Sequence, residues 1–97
     1  MNLSHLHMMI TVARLGSLQK TAEQLGRTQS AVSMALKKLE ENAGFALFNR
    51  DGYRLELTEQ GHHFLRQAEE VVRQQQRLQS LANQLKHGAE PLLTLCY

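Results

Sequence analysis

The sequence carries one cysteine, Cys96, so no disulfide closes within the chain and a cysteine-rich metal site is excluded. A reducing compartment suits such a chain. Long apolar runs are also missing. Nothing approaches the roughly 18 residues that a membrane span needs, and residues 1–10 have no basic flank leading into an apolar stretch. A cytoplasmic location without a membrane partner is the expectation. His5, His7, His62, His63 and His87 have no cysteine or carboxylate set at ligand spacing, and adjacent His62 and His63 diverge on a helix. Neither an enzyme nor a cofactor-holding chain is expected. Proline is withheld until Pro91, which leaves the preceding sequence free to form helix.

What remains is an ordinary hydrophobic share of 42% with 21% charged residues, enough apolar side chains for a packed core and too many for a disordered chain. A chain of 97 residues buries only roughly 60% of its unfolded surface, so a partner subunit is one source of further stability. The formal charge of +2 and the pI of about 9.0 are compatible with a nucleic-acid module without deciding for one.

Hydrophobic periodicity divides the chain. Leu3, Leu6, Met9, Ile10 and Ala13 lie at three- and four-residue spacings, predicting an amphipathic helix up to Leu15 that Gly16 interrupts. Ser17 is placed to cap a short second helix with Leu18, Ala22 and Leu25 on one stripe before Gly26. Thr28 is placed to cap a third, over residues 28–43, in which Val32, Leu36, Leu39 and Ala43 form a buried face that ends at Gly44. The period then changes. Tyr53, Leu55 and Leu57 alternate with Arg54 and Glu56 after the Asp51-Gly52 turn, predicting a small hairpin wing over 50–56. From Thr58 the helical period resumes as far as His87 and Gly88. The predicted class is therefore mainly α: a winged helix-turn-helix, three helices plus a short β-hairpin wing, over 1–57. A long dimerisation helix follows over 58–88.

A short helix, a glycine turn and a longer helix are the pattern of a helix-turn-helix, whose second helix enters the major groove of double-stranded DNA. Turning the third helix by 100° per residue places Ser30, Met34, Lys37 and Lys38 opposite its buried stripe, with Gln29 and Ser33 on the flank. Glutamine pairs with adenine, hydroxyls meet phosphate or either base, and lysine reaches guanine or phosphate. The same side chains equally make a solvated helix surface, so this face alone does not distinguish the two. In the wing, Arg50 and Arg54 flank a turn from which a guanidinium reaches phosphate or a narrow minor groove; the alternative is two ordinary surface arginines. Leu47 and Phe48 are the core anchors that would fix where Arg50 emerges.

The ordered stretches Gly16-Ser17, Ala22-Glu23-Gln24-Leu25, Gln29-Ser30-Ala31-Val32-Ser33, Leu39-Glu40-Glu41, Gly44, Leu47-Phe48-Asn49-Arg50 and Leu57-Thr58-Glu59-Gln60-Gly61 resemble the DNA-binding domain of LysR-type transcriptional regulators. The resemblance implies a winged helix-turn-helix joined by a linker helix to a larger effector-binding domain, with DNA bound by dimers or tetramers. It assigns Gln29, Ser30, Ser33, Met34 and Lys37 to the major-groove face, and Arg50, Tyr53 and Arg54 to phosphate and wing contacts. With Arg27, Thr28 and Lys38 these are the candidate DNA-binding residues. Departures from the family pattern fall at Thr21, usually a second alanine, and at Arg27, usually an apolar turn residue. They also fall at Ser30, often proline, and at Met34, often polar or basic. Arg27 thereby becomes a candidate phosphate contact and Met34 a candidate for apolar contact with a thymine methyl.

In the long helix, Phe64, Ala68, Val71, Gln75, Leu78, Ala82 and Leu85 step by four and three residues, a heptad seam with Gln75 as its polar member. A homodimer paired along this seam is expected, with Leu65, Val72 and Leu81 available for contact with the chain's own first helix. The alternative is that the seam itself packs on that helix. A coiled-coil adaptor that binds protein and not DNA remains the rival function. Residues 89–97, with the apolar run Leu92 to Tyr97 after Pro91, are expected to begin the effector-binding domain. Any small-molecule co-inducer would belong to that domain, and none is expected in this chain.

Overall fold

Each of the first three helices begins at a side-chain cap. Asn2 Oδ1 accepts from Ser4 N–H at 2.7 Å, Ser17 Oγ from Lys20 N–H at 3.1 Å and Thr28 Oγ1 from Ala31 N–H at 3.0 Å. Each cap satisfies a donor that the first helical turn leaves without a partner, worth about 1 kcal/mol. The structure, a computed structural model, describes residues 1–87. Helix α1 spans Leu3–Leu15, α2 Leu18–Leu25 and α3 Gln29–Ala43; they end at Gly16, Gly26 and Gly44. Strands β1 (Phe48–Asn49) and β2 (Glu56–Leu57) pair antiparallel, and α4 runs from Glu59 to Lys86 between caps at Thr58 and His87. The expected segment 89–97, including the run Leu92 to Tyr97, lies outside the described residues. No helix among the described residues is long and apolar enough to cross a membrane.

Helix α1 packs against α2, α3 and α4. The core between them comprises Leu6, Met9 and Val12 of α1, Ala22 of α2, Val32, Leu36 and Leu39 of α3, Leu47 and Phe48, and Ala68 and Val72 of α4. Full burial of a side chain of the leucine or phenylalanine class stabilises by about 1.5–3 kcal/mol, so the α3 stripe fixes the orientation of that helix. Thr21 is fully buried in α2, where its hydroxyl donates to the Ser17 carbonyl at 2.8 Å. An alanine-like site thus accommodates threonine with its polar atom satisfied.

The wing differs from its predicted form. Only Phe48 with Leu57 and Asn49 with Glu56 are in register, so residues 50–55 form a loop and the expected alternating strand is confined to its last two residues. The physical reason lies in where the second arm finds its partners. Leu55 N–H donates to the Gly16 carbonyl at 3.4 Å and Arg54 Nη2 to the Leu15 carbonyl at 3.2 Å, so residues 54 and 55 bond to the α1–α2 turn, and pairing with the first arm is left to Glu56 and Leu57. Gly16 makes the approach possible. Its φ is +71°, and a Cβ there would run into the Arg54 guanidinium.

The amino end of α4 belongs to the same core. Thr58 Oγ1 accepts from Gly61 N–H at 2.9 Å and donates to the Ala46 carbonyl at 2.7 Å. Gly61 is buried where a Cβ would collide with the Leu47 carbonyl. Phe64 meets Phe45 edge to face, centroids 6.2 Å apart. This corrects the expected seam: Ala68 is only 4% exposed and sits in the chain's own core, with Phe64 packed against it. At 100° per residue, Gly61, Leu65, Ala68 and Val72 share an inward stripe, and Ala68 is where seam and stripe meet. Leu65 and Val72 face the core as expected. Leu81, expected as another such contact, is 48% exposed, and Val71, Leu78 and Leu85 are exposed with it. A 28-residue helix is about 42 Å long, and no residue of its carboxyl half beyond Val72 is buried.

Candidate nucleic-acid interface

The interface is assembled from three local structures: the start of α2, the start of α3 and the wing loop. The α2–α3 turn closes with Arg27 N–H donating to the Ala22 carbonyl at 2.9 Å, and Thr28 then caps α3. Because Val32, Ala35, Leu36 and Leu39 are buried, the opposite face is presented outward. Gln29, Ser30, Lys37 and Lys38 are exposed, Met34 is 68% exposed and Ser33 is half-buried. Arg27 and Thr28 are exposed as well, and the Thr28 oxygen is committed to its cap.

The wing loop lies on one flank of this face. Gln29, Gly52, Tyr53 and Arg54 line a hollow of about 290 Å³ together with Ser17 and Gln19 of the α2 start. A neighbouring hollow of about 370 Å³ adds Lys20 beside Tyr53 and Arg54. Tyr53 is completely exposed, an unusual setting for an aromatic side chain. On the opposite flank, Arg27, Met34 and Lys38 border a groove with the amino end of α1. The predicted residues therefore divide between two sides of α3. Ser17, Gln19 and Lys20 were not among them, although Ser17 as a cap and the exposed polar face of α2 already marked that end in the sequence.

Charge reinforces the geometry. Among the described residues two salt bridges form, Arg50 with Glu40 at 3.2 Å and Arg73 with Glu70 at 2.7 Å. The Arg73 guanidinium holds the Glu70 carboxyl below its ordinary pKa. Lys20, Arg27, Lys37, Lys38 and Arg54 pair with no carboxylate among the described residues and so are available to an external anion. Arg50 is different. It is tied to Glu40, whose second oxygen accepts from Leu47 N–H at 2.8 Å and Phe48 N–H at 3.4 Å. No group of three or more His, Cys, Asp or Glu among the described residues is placed to hold a metal ion.

A helix-turn-helix with unpaired cations and an adjoining wing has counterparts among known proteins. Residues 3–62 match the family described as bacterial regulatory helix-turn-helix protein, lysR family. The chain belongs to the LysR family. One LysR relative, HTH-type transcriptional regulator CrgA of Neisseria meningitidis serogroup C (strain 8013), is 38% identical over 73 residues, covering 75% of this chain and 24% of the regulator. Probable HTH-type transcriptional regulator YhaJ of Escherichia coli (strain K12) is 34% identical over 95 residues, covering 98% of this chain and 32% of the regulator. The chain thus spans about a quarter to a third of the length of these relatives. Among solved structures, a complex of the BenM DNA-binding domain with catB site 1 DNA is similar with a TM-score of 0.86 and 26% identity, covering 94% of this chain and 98% of that one. The LysR match extends through both strands and ends at the start of α4, so it takes in the whole candidate interface.

Proposed function

We propose that this chain is the DNA-reading part of a sequence-specific transcriptional regulator that acts in the cytoplasm as a homodimer and is not an enzyme. The carrying observation is that the outward face of α3, rich in polar and cationic groups without carboxylate partners, stands beside the wing loop on one side of the molecule. In this reading Gln29, Ser30, Ser33, Met34 and Lys37 face base edges in the major groove. Arg27, Thr28, Lys38, Arg50, Tyr53 and Arg54 meet the sugar-phosphate backbone or the adjacent minor groove. The similarity to the BenM DNA-binding domain solved with DNA supports it.

Dimerisation is assigned to the part of α4 from Val71 onward, where Val71, Leu78 and Leu85 are exposed and Gln75 and Ala82 continue the same seam. Phe64 and Ala68 approach the partner only at the seam's inner end, since both pack within the chain. Any co-inducer and any tetramer contact belong to the longer regulators and not to this domain.

Selection of bound sequences from a random duplex pool, at a fixed and stated salt concentration, tests the reading. One enriched, two-fold symmetric motif is the expected result. Recovery of no motif even at low salt would overturn it in favour of a coiled-coil adaptor.

A further inference from the structure

Leu47 joins the reading helix to the long helix through its own peptide groups. Its N–H donates to the Glu40 carboxylate of α3 at 2.8 Å, and its carbonyl accepts from Thr58 N–H, at the cap of α4, at 2.9 Å. The Thr58 hydroxyl reaches the same segment by donating to the Ala46 carbonyl at 2.7 Å. Within the first turn of α4, Gly61 lies so close to the Leu47 carbonyl that a Cβ would collide with it. Phe64 then meets Phe45 edge to face, centroids 6.2 Å apart. Residues 45–47 thus tie α3 to α4.

This joint has little slack. Leu47 is fully buried and its backbone is bonded on both sides, so a shift of either helix would leave buried polar groups without partners. Glycine inside a helix is ordinarily less favourable than alanine; at Gly61 it lets the α4 backbone seat against a carbonyl that any side chain would hold away. Beyond Val72 no residue of α4 is buried, so the direction of the exposed part is set at its amino end. It is set there by the joint and by the packing of Leu65, Ala68 and Val72 on the core.

Direction matters because α4 is a lever. Leu78, in the exposed seam, lies about 26 Å along the helix from Gly61. A tilt of about 10° at the joint therefore moves the reading head by about 4 Å relative to the seam, more than the rise of roughly 3.4 Å per base pair. We propose that Phe45, Leu47, Gly61 and Phe64 are positioning residues that determine which separation of two half-sites a dimer accepts. Leu47 and Gly61 are buried, so they select the spacing of the operator without touching a base. The proposal rests on the reading that α3 enters the major groove and α4 pairs with a second copy.

The whole chain is titrated on its selected duplex and on versions with one or two base pairs added or removed between the half-sites. Each added pair moves a half-site by roughly 3.4 Å and turns it by about a tenth of a turn. The wild-type chain is expected to bind one spacing best. Gly61→Ala should shift that optimum by at least one base pair. Phe64→Leu keeps an apolar side chain but loses the edge-to-face contact, and should narrow the difference between the best and neighbouring spacings. For both, the loss caused by a mismatched base within a half-site should equal that of the wild type. Phe64→Leu decides the matter if Gly61→Ala does not fold. A wild-type spacing profile in every variant that folds, or a loss equal at all spacings, overturns the role of the joint and spares the reading of α3. Selection of no paired half-sites by the wild-type chain overturns both.

Discussion

Arg50 at the foot of the wing and Glu40 near the end of α3 lie 3.2 Å apart, guanidinium to carboxylate. An exposed ion pair by itself stabilises by about 0–1 kcal/mol. The pair matters because the other Glu40 oxygen accepts from the backbone of Leu47 and Phe48, tying the reading helix to the strand that carries the wing. Glu40→Ala strands the Leu47 N–H beside a fully buried side chain, at a cost of about 1–3 kcal/mol. A lower urea midpoint is expected at fixed protein concentration, with Glu40→Gln losing less because its amide carbonyl still accepts. An unmoved midpoint for Glu40→Ala would count against this account.

Base and backbone roles separate by how mutations respond to sequence. Arg50→Ala is expected to weaken binding about equally on all duplexes and to flatten the salt dependence, since the guanidinium, held to Glu40 through Nη2 alone, leaves its other nitrogens for phosphate. Gln29→Ala is expected to relax sequence preference at one position by about 1–3 kcal/mol while leaving the salt slope alone. Equilibrium titrations on matched and mismatched duplexes over a salt series measure both. An unchanged slope for the first variant, or a uniform loss for the second, reverses the two assignments.

Helices α1 to α3 were legible in the sequence because each is written twice: once in its apolar period and again in its caps and terminal glycine. Leu3 to Leu15, the Ser17 and Thr28 caps and the end at Gly44 all stand where the pattern put them. The wing was less legible. Alternation over 53–57 looks like a strand, but the choice between pairing with β1 and pairing with the α1–α2 turn depends on a contact between residues far apart in sequence. A similar limit applied to α4. A heptad reading sees one apolar seam, whereas the folded chain takes its inner end into the core and leaves the outer end exposed. Exposure on α3 could be read from periodicity, but its two flanks could not, because the neighbour of each is set by the packing of α1 and the wing.

Gly16 and Arg54 form a coupled pair. Substitution of Gly16 by alanine meets two penalties, a positive φ of 71° and a collision with the Arg54 guanidinium. The backbone part costs about 1 kcal/mol or more. Removing the guanidinium relieves only the collision. In thermal or urea unfolding, Gly16→Ala should therefore destabilise the chain less in an Arg54→Ala background than in the wild type. Strict additivity of the two changes would show that the wing loop does not rest on this turn.

The two halves of α4 should respond in opposite ways to substitution. Leu78 is 65% exposed and touches no part of the core, whereas Ala68 is 4% exposed within it. Leu78→Lys puts a charge into the seam assigned to the partner helix, where an unpaired buried charge is strongly unfavourable, and leaves the core untouched. Sedimentation is expected to show a monomer with the helical content retained. Ala68→Leu overfills the packing between α1 and α4, costing about 1–3 kcal/mol of fold stability, and its effect should persist at dilutions where the chain is monomeric. Weaker DNA binding is expected for both, but through different routes: raising protein concentration opposes the lost pairing of Leu78→Lys by mass action, whereas the loss in Ala68→Leu follows the fraction of folded chain and recovers only when the fold is stabilised. A dimeric Leu78→Lys chain would move the interface off this seam, and with it the spacing at which two reading helices meet one duplex.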